Sequence, residues 1–446
     1  MRQLRVDRFM GMLNLTLGCL ILLGTGKTIA GSYRMESEMN SHNRVDAIVR
    51  LSFSKADPIY SALGKEIDTL QVGQPVAWSL SRLDRKAVET QPVEVEKSSQ
   101  GDLQLTWVEP GNWPSGTVHQ WLLETTAPKG FQMPWRWVTT DDGQLELHHR
   151  DRGFVFRYQK RPVNQKNLPV VQERGAYIHP FLTPSGKLAT GDFSPFHTHH
   201  RGFFLAYAKT KRGNLAPDFW NIHAGTAKIV TDSERVEVAS GPVMARLHTR
   251  HHWQLREKAN PDNQNGEVVL DESWKVAIYE IPGQPSWVWD LTSSQKPVGE
   301  DLELSKHRYG GMAYRGPEPF VKGKLDVLTS EGRTDRTTAD QKPCKWFDLT
   351  GPVAEGSSDY VGATMCDHPS NLRFPNVVRI HPVSLPFFSF VPAHAEALVL
   401  NNGQTYQWKY RTMVHDGRPN RLRDQALFDD FANPVKVHSE VKLTER

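Results

Sequence analysis

The chain of 446 residues contains very little cysteine, only Cys19, Cys344 and Cys366. No C-x-x-C pair and no Cys/His spacing typical of a structural zinc site occurs, which excludes a zinc-stabilised fold. If an N-terminal segment is removed on export, Cys344 and Cys366 remain, and they form either one disulfide or two buried free thiols. Stability should therefore come mainly from a hydrophobic core, for which the length is ample.

Long hydrophobic runs are also scarce. The one exception, residues 9–23, follows Arg2, Arg5 and Arg8, and small residues at 28–32 suit a signal peptidase. We therefore predict that residues 1–31 are a signal peptide and that the protein is exported, to the periplasm or the cell exterior. The run is short for a bilayer span, so an uncleaved anchor is the alternative, and no other membrane contact is expected.

A strong excess of charge of one sign is missing as well. The formal net charge is +4, and Lys and Arg alternate with acids instead of forming a stripe, so nucleic acid is not expected as a partner. The chain has 13 Trp and 11 Tyr, whose rings can stack on the apolar faces of sugars. This composition favours a carbohydrate or glycoside as the partner.

Helical periodicity of useful length is nearly absent, whereas short runs of β-branched and aromatic residues recur at residues 46–53, 103–109 and 153–159. The pattern predicts an all-β protein built from antiparallel sandwiches. Residues 45–128 have the length of a small immunoglobulin-like sandwich. A linker at 126–135 then leads to a larger β domain at 131–437, which ends in a short helix at 424–434.

The densest cluster of titratable groups is HTHHRGFF (197–204), followed by DFWN (218–221). On a strand, alternation places His197, His199 and Arg201 on one face and His200 on the other. Imidazole titrates near neutrality, so these histidines are candidate general acids or bases. Asp218 is predicted to orient one of them.

The same cluster could hold a divalent metal. His197 and His199 with a carboxylate such as Asp218, Asp192 or Asp367 would suit zinc, copper or iron, but no diagnostic third ligand is present. The metal therefore stays open. For substrate binding we predict Arg201, Trp220 and Asn221, with a structural ion pair as the alternative for Arg201 and ordinary core packing for Trp220.

Two later clusters are candidates to join the first. GGMAYRG (310–316) contributes Tyr314 and Arg315, and CDHPSNLRFP (366–375) contributes Asp367, His368 and Arg373, all as predicted substrate-binding residues. For the second cluster, a turn capped by Asp and Asn side chains is the simpler alternative. No G-x-S-x-G elbow, P-loop, dinucleotide fingerprint or H-E-x-x-H occurs, which excludes serine hydrolase, nucleotide and nicotinamide functions.

At these residues the chain resembles an uncharacterised bacterial family labelled methane oxygenase PmoA-like. The family pattern D-H-P-H-H-R, D-F-W, a glycine- and arginine-containing stretch, D-H-P-S-N-x-R and V-H-D-G matches residues 196–201, 218–220, 310–316, 367–373 and 414–417. The chain departs from it at Phe196, where the family has an acid. An Asp that orients His197 is therefore missing, and Asp192 is a possible substitute.

The label does not imply methane chemistry here. The mean hydropathy of −0.53 and the single apolar run are incompatible with a subunit that crosses the membrane many times. The resemblance implies an exported protein, encoded near carbohydrate-degrading genes, whose large domain is similar to the galactose mutarotase-like supersandwich.

Together these features predict a carbohydrate-active protein that acts on a glycoside or polysaccharide by histidine acid/base chemistry, as a hydrolase, lyase or epimerase. A non-catalytic carbohydrate-binding or scaffold protein and a metal-dependent oxidoreductase are the alternatives.

Overall fold

A computed structural model describes residues 32–83, 89–164, 168–194, 197–256, 266–281, 283–322, 324–383 and 385–439. The predicted signal peptide (1–31) and Phe196 lie outside the described residues. In the part of the chain that is described, no helix is both long and apolar enough to span a bilayer.

The N-terminal third forms six strands and two short helices. They are β1 (Ser32–Ser37), β2 (Arg44–Phe53), α1 (Pro58–Leu63), α2 (Lys65–Asp68), β3 (Val76–Arg82), β4 (Thr90–Lys97), β5 (Leu103–Trp113) and β6 (Gln120–Glu124).

The described residues in the middle of the chain form strands and two turns of 3-10 helix, at Val170–Gln172 and Ile222–Ala224. The strands are β7 (Trp135–Thr139), β8 (Leu145–His149), β9 (Gly153–Gln159), β10 (Tyr177–Phe181), β11 (Asp192–Ser194), β12 (His197–Arg201), β13 (Phe203–Ala206), β14 (Thr210–Lys211), β15 (Ala227–Ser240), β16 (Met244–Leu255), β17 (Val268–Tyr279), β18 (Ser286–Pro297) and β19 (Leu302–Leu304).

The C-terminal third adds ten strands and three helices. They are β20 (Gly311–Arg315), α3 (Pro319–Lys322), β21 (Asp326–Thr329), α4 (Arg336–Ala339), β22 (Lys342–Pro343), β23 (Trp346–Pro352), β24 (Tyr360–Asp367), β25 (Val377–Ile380), β26 (Phe387–Val391), β27 (Leu398–Leu400), β28 (Tyr406–Asp416), α5 (Arg421–Ala432) and β29 (Val437–Ser439).

The large domain is a sandwich of two antiparallel sheets. One has nine strands in the order β22-β25-β26-β20-β13-β10-β9-β8-β7, and the other has eight in the order β15-β16-β17-β18-β28-β24-β23-β21. Residues of β16 alternate between buried and half-buried positions, as expected for a strand with one face on a core. The prediction of an all-β fold with large antiparallel sheets is confirmed.

Aromatic side chains from both sheets fill the space between them. Phe203 of the nine-stranded sheet packs edge-on against Trp289 of the eight-stranded sheet, with ring centroids 5.1 Å apart. Tyr158 reaches across to His251, with its hydroxyl 2.8 Å from Nε2. Such contacts bury large apolar areas and hold the two sheets together.

The N-terminal strands form one seven-stranded sheet in the order β2-β5-β4-β3-β6-β1-β29, with its own hydrophobic core. This differs in detail from the immunoglobulin-like prediction, since all seven strands are connected in one sheet and the last strand of the chain joins it. Ile48 and Val108 of this sheet pack against Val243 and Met244 of the large domain, so the two parts share an apolar contact.

The predicted C-terminal helix is confirmed as α5, which begins three residues earlier than expected because the side chain of Asn420 accepts hydrogen bonds from the backbone N–H groups of Leu422 and Arg423. Cys344 and Cys366 are buried free thiols, so of the two alternatives the disulfide is not formed.

Candidate functional site

A bulge in β12 brings three histidines into one cavity. In the β11–β12 pair, Asp192 lies opposite Arg201 and Ser194 lies opposite His197. Between these two pairs the chain advances by two positions in β11 but by four positions in β12. Extra residues of this kind break the alternation of side chains. The prediction that His200 lies on the opposite face is therefore wrong, since His197, His199 and His200 line the same cavity.

Gly202 fixes the position of this segment. A Cβ atom at residue 202 would lie 2.0 Å from the carbonyl oxygen of Ile178, so only glycine permits the close approach of β12 to β10.

The imidazole rings pack against one another. The ring centroids of His199 and His200 are 4.6 Å apart, and those of His197 and His200 are 5.1 Å apart. Two further rings extend the cluster: His223 lies 5.2 Å from His199, and His381 lies 6.4 Å from His197. Five imidazoles from three separate segments thus form one histidine cluster.

The cavity beside this cluster has a volume of about 180 Å³. Its wall combines imidazole, aromatic, amide and guanidinium groups and contains no acidic side chain among the described residues. The lining residues are His197, His199, His200, Trp220, Asn221, Arg308, Tyr309, Arg379, His381, Leu385 and Phe387.

Burial keeps these imidazoles neutral. It lowers the pKa of His199 to about 3, helped by the charges of His223 and His197. Burial likewise holds the pKa of His200 well below its usual value and lowers that of His381 to about 4. The half-exposed His197 has a pKa lowered first by burial and then by the charge of Arg315. At neutral pH these rings are therefore uncharged, and each neutral imidazole offers one nitrogen that donates and one that accepts a hydrogen bond.

Several ring nitrogens are available to a ligand. Nδ1 of His197 and Nδ1 of His200 are buried without a hydrogen-bond partner. In His381, by contrast, Nδ1 accepts the backbone N–H of Leu385 at 3.3 Å, which assigns the ring proton to Nε2. These two rings line the same cavity, so a ligand or a water molecule in the cavity could complete the hydrogen bonds of their Nδ1 atoms.

The predicted metal ligands do not form a coordination site in the described residues. In the described ranges, no group of three or more His, Cys, Asp and Glu side chains is arranged to hold a metal ion. Asp218, the proposed carboxylate ligand, accepts the backbone N–H groups of Trp220 at 3.0 Å and Asn221 at 2.7 Å, and the Asn221 amide at 2.8 Å. It therefore caps its own turn, which also removes it from the predicted catalytic role.

Arg201 has the structural role that was the alternative. Its side chain is fully buried, pairs with Asp192 at 3.1 Å, donates to the carbonyl oxygen of Gln172 at 2.8 Å and stacks over Phe193. Asp192 is held on its other side by the Tyr177 hydroxyl at 2.8 Å. Neither Arg201 nor Asp192 lines the cavity.

The DFWN segment supplies part of the wall. Trp220 is buried but lines the cavity, with its ring centroid 5.8 Å from His200 and 5.4 Å from Tyr309. The Asn221 amide donates to the Tyr309 hydroxyl at 3.2 Å. These contacts place a polar edge beside an aromatic surface, while substrate binding by Trp220 and Asn221 stays a prediction.

The GGMAYRG segment forms β20 and is divided between core and site. Tyr314 is completely buried, stacks on Phe203 and donates to the carbonyl oxygen of Ala189, so it is a core residue and not a substrate ligand. Arg315 lies close enough to lower the pKa values of His197 and His200, although it does not line the cavity.

The DHPSN segment forms a structural turn away from the lining residues. Asp367 accepts the Asn371 amide at 2.7 Å and the Asn376 amide at 3.0 Å. His368 packs on Phe431 of α5, and Arg373 donates to the carbonyl oxygens of Pro392 and Ala397. Asp367, His368 and Arg373 therefore have structural roles in a capped turn, which was the simpler alternative to substrate binding.

Six of the eleven lining residues were not predicted from the sequence: Arg308, Tyr309, Arg379, His381, Leu385 and Phe387. Arg308 and Tyr309 directly precede the GGMAYRG segment, and His223 follows DFWN by two residues, so a wider window around each motif would have included them. Arg379, His381 and Phe387 belong to β25, β26 and their connection, where no local pattern marks them.

Comparison with solved structures finds a similarity to an α-mannosidase from Enterococcus faecalis V583, with 10% sequence identity and a TM-score of 0.38. The match covers 92% of this chain and 46% of that protein, so the chain spans about half the length of its structural relative. No curated protein gives a significant match. The model of a family of unknown function, DUF6807, matches residues 144–429, which is most of the large domain and of the whole chain, and the protein therefore belongs to that family.

Proposed function

We propose that this protein is an exported carbohydrate-active enzyme that acts on a glycoside or polysaccharide through histidine acid/base chemistry. The observation that carries the proposal is the convergence of His197, His199 and His200 on one cavity, with Nδ1 of two rings left without a partner. Membership of the PmoA-like family remains part of the proposal and is supported only by the sequence motifs.

His197 is best suited to proton transfer. It is half-exposed, so solvent can exchange its proton, whereas His200 is 3% exposed. A general base works best when its pKa lies near the working pH, and the strongly lowered pKa values of His199 and His200 suit them less. We assign His197 the acid/base role, and His199 and His200 the role of neutral hydrogen-bonding groups that orient the sugar.

The rest of the wall fits a sugar ring. Tyr309 and Trp220 offer aromatic surface, and Asn221 offers an amide that is already oriented by Asp218. An apolar surface beside fixed polar groups is the usual composition of a small-molecule site. The reaction type remains open between hydrolysis, elimination and epimerisation.

A larger cleft of about 350 Å³ on strands β15 to β18 is a less suitable location. Its Arg250 pairs with Asp271 at 2.9 Å, and Arg235 faces Asp232 at 3.5 Å. Both arginines of this cleft are therefore paired with carboxylates, in contrast to Arg308 at the histidine cavity, which has no ion pair in the described residues.

The experiment is a substrate screen with the full chain on plant and algal polysaccharides and aryl glycosides, with and without added divalent metal. New reducing ends indicate hydrolysis, and the ultraviolet absorbance of a conjugated alkene indicates elimination. Turnover that disappears in His197→Ala but persists in His368→Ala supports the proposal. Retention on a polysaccharide without turnover would favour the non-catalytic binding protein, and full turnover in both His197→Ala and His199→Ala would refute the assignment.

A further inference from the structure

Among the described residues, arginine side chains line the histidine cavity, whereas carboxylates do not. Its wall carries Arg308 and Arg379 but no acidic residue among the described side chains. Arg379 pairs with Asp340 from outside the lining set, whereas Arg308 is exposed and has no ion pair within the described ranges. One guanidinium at the cavity is thus left for a ligand.

A second guanidinium lies behind the cluster with unused donors. Arg315 is 1% exposed, and its Nε and Nη1 atoms are buried without a partner. Its one charged contact joins Nη2 to Glu318 at 3.3 Å, and the Glu318 side chain is 56% exposed. Such a pair is loose, and it leaves most of the guanidinium unsatisfied.

A third guanidinium repeats this arrangement near His199. Arg174 is 2% exposed, and its Nε and Nη1 atoms also lack partners. It donates from Nη2 to the carbonyl oxygen of Leu205 at 2.9 Å and lies over the Phe204 ring, which packs against Trp220 of the wall. No carboxylate pairs with it in the described part of the chain.

A buried guanidinium without an ion-pair partner is costly, and a ligand that brings a negative charge to the cavity would offset that cost. We infer that the sugar bound in this cavity carries an anionic substituent, a carboxylate or a sulfate, that is held by Arg308 and by the positive field of Arg315 and Arg174. Guanidinium groups bind both anions through paired hydrogen bonds. This inference rests on the proposed function and narrows its substrate class to acidic glycans.

The test compares matched pairs of ligands that differ only in charge. Calorimetry measures binding of oligogalacturonate against its methyl ester, and of a sulfated galactan oligosaccharide against its desulfated form, to the full chain. We expect the anionic member of at least one pair to bind at least about tenfold more tightly, with an affinity that falls as salt rises. The two pairs separate carboxylate from sulfate recognition.

Two arginine variants show whether the anion binds at the histidine cavity or elsewhere. Arg308→Gln should weaken binding of the anionic ligand about tenfold and leave the neutral ligand unchanged. Arg235→Gln removes the same charge from the cleft on β15 to β18 and should have no effect. Equal affinity for charged and neutral members, failure of every probe to bind, or equal losses in the two variants would overturn the inference.

The outcome for the proposed function is separate. Turnover of neutral glycans that depends on His197 would retain the proposed function and overturn the acidic substrate class. Binding of citrate or inorganic sulfate as tightly as of the acidic oligosaccharides would retain the anion site and count against a carbohydrate ligand.

Discussion

His200 and His415 are both deeply buried, yet their surroundings differ. His415 is fully buried, and its Nε2 lies 3.1 Å from Asp348, which also accepts the hydroxyls of Thr350 at 2.6 Å and Thr364 at 2.8 Å. His200 is 3% exposed, and its Nδ1 has no partner. One imidazole is hydrogen-bonded within a buried polar network, and the other lines a cavity.

The difference separates stability from function. A hydrogen-bonded buried network stabilises the strands that it joins, and removing one partner is costly, whereas a buried polar group without a partner does not stabilise the fold. His251, between the Tyr158 hydroxyl at 2.8 Å and Glu272 at 3.0 Å, belongs with His415. Burial alone would not have distinguished these histidines.

The largest expected effect is on turnover. Replacing His197 with Ala should lower the rate about 10²- to 10⁴-fold, because proton transfer in the transition state is lost. The circular dichroism spectrum and the unfolding midpoint should stay close to those of the wild type. His368→Ala, a turn histidine outside the cavity, is the control and should retain its rate.

Removing a charge from the Asp348 network should instead lower the stability of the fold. Asp348→Asn should lower the free energy of unfolding by about 3–5 kcal/mol, because it removes the charge that satisfies His415 and Arg423. His200→Phe should be close to neutral, since it replaces an unsatisfied ring with an apolar one. Urea denaturation compares the two, and a larger loss in His200→Phe would contradict the distinction.

The pH dependence of stability should show the same contrast. The pKa of His199 is about 3 in the folded protein and about 6.5 in the unfolded chain, so the unfolded state takes up the proton first as the pH falls. Its contribution to stability is present above pH 6.5 and is lost on acidification towards pH 3, by at most about 1.4 kcal/mol per pH unit.

Asp424 in the Asp348 network works in the other direction. Burial, followed by the charge of Asp348, raises its pKa, so it favours the folded state at low pH and loses that contribution as the pH rises. In urea titrations between pH 4 and pH 7, His199→Gln should reduce the acid sensitivity and Asp424→Asn should increase it. Identical slopes in the two variants would be inconsistent with these environments.

The smallest expected effect concerns the aromatic wall. Tyr309→Phe removes the hydroxyl that bonds Asn221 at 3.2 Å and should weaken substrate binding by about 0.5–1.5 kcal/mol. KM should rise several-fold with kcat and stability nearly unchanged. A fall in kcat of the size expected for His197→Ala would instead place Tyr309 in the chemistry.

The fold was largely predictable because its signals are local. Strands such as Gly153–Gln159 can be predicted from the alternation of their own residues, without knowing which strands they pair with. The C-terminal helix can likewise be predicted from the polar residues near its start. The pairing of β29 with β1 was not predictable, because these two short strands lie far apart in the sequence and share no pattern.

The site was predictable only in part. The HTHHR and DFWN segments do meet, but the roles of Arg201 and Asp218 depended on Asp192, Gln172 and the turn geometry at Asn221. His381 joins the cluster through β25 and its connection to β26, about 180 positions further along the chain than His200. Composition shows which residue types are present, and the topology decides which of them become paired.

The central claim, that the histidine cavity is the ligand site, is tested most directly by NMR of ring-labelled histidines during addition of an oligosaccharide that the protein turns over or retains. We predict that the ring signals of His197, His199 and His200 shift with ligand concentration, while those of His368 and His415 do not. Shifts confined to His248, which lines the cleft on β15 to β18, would contradict the claim.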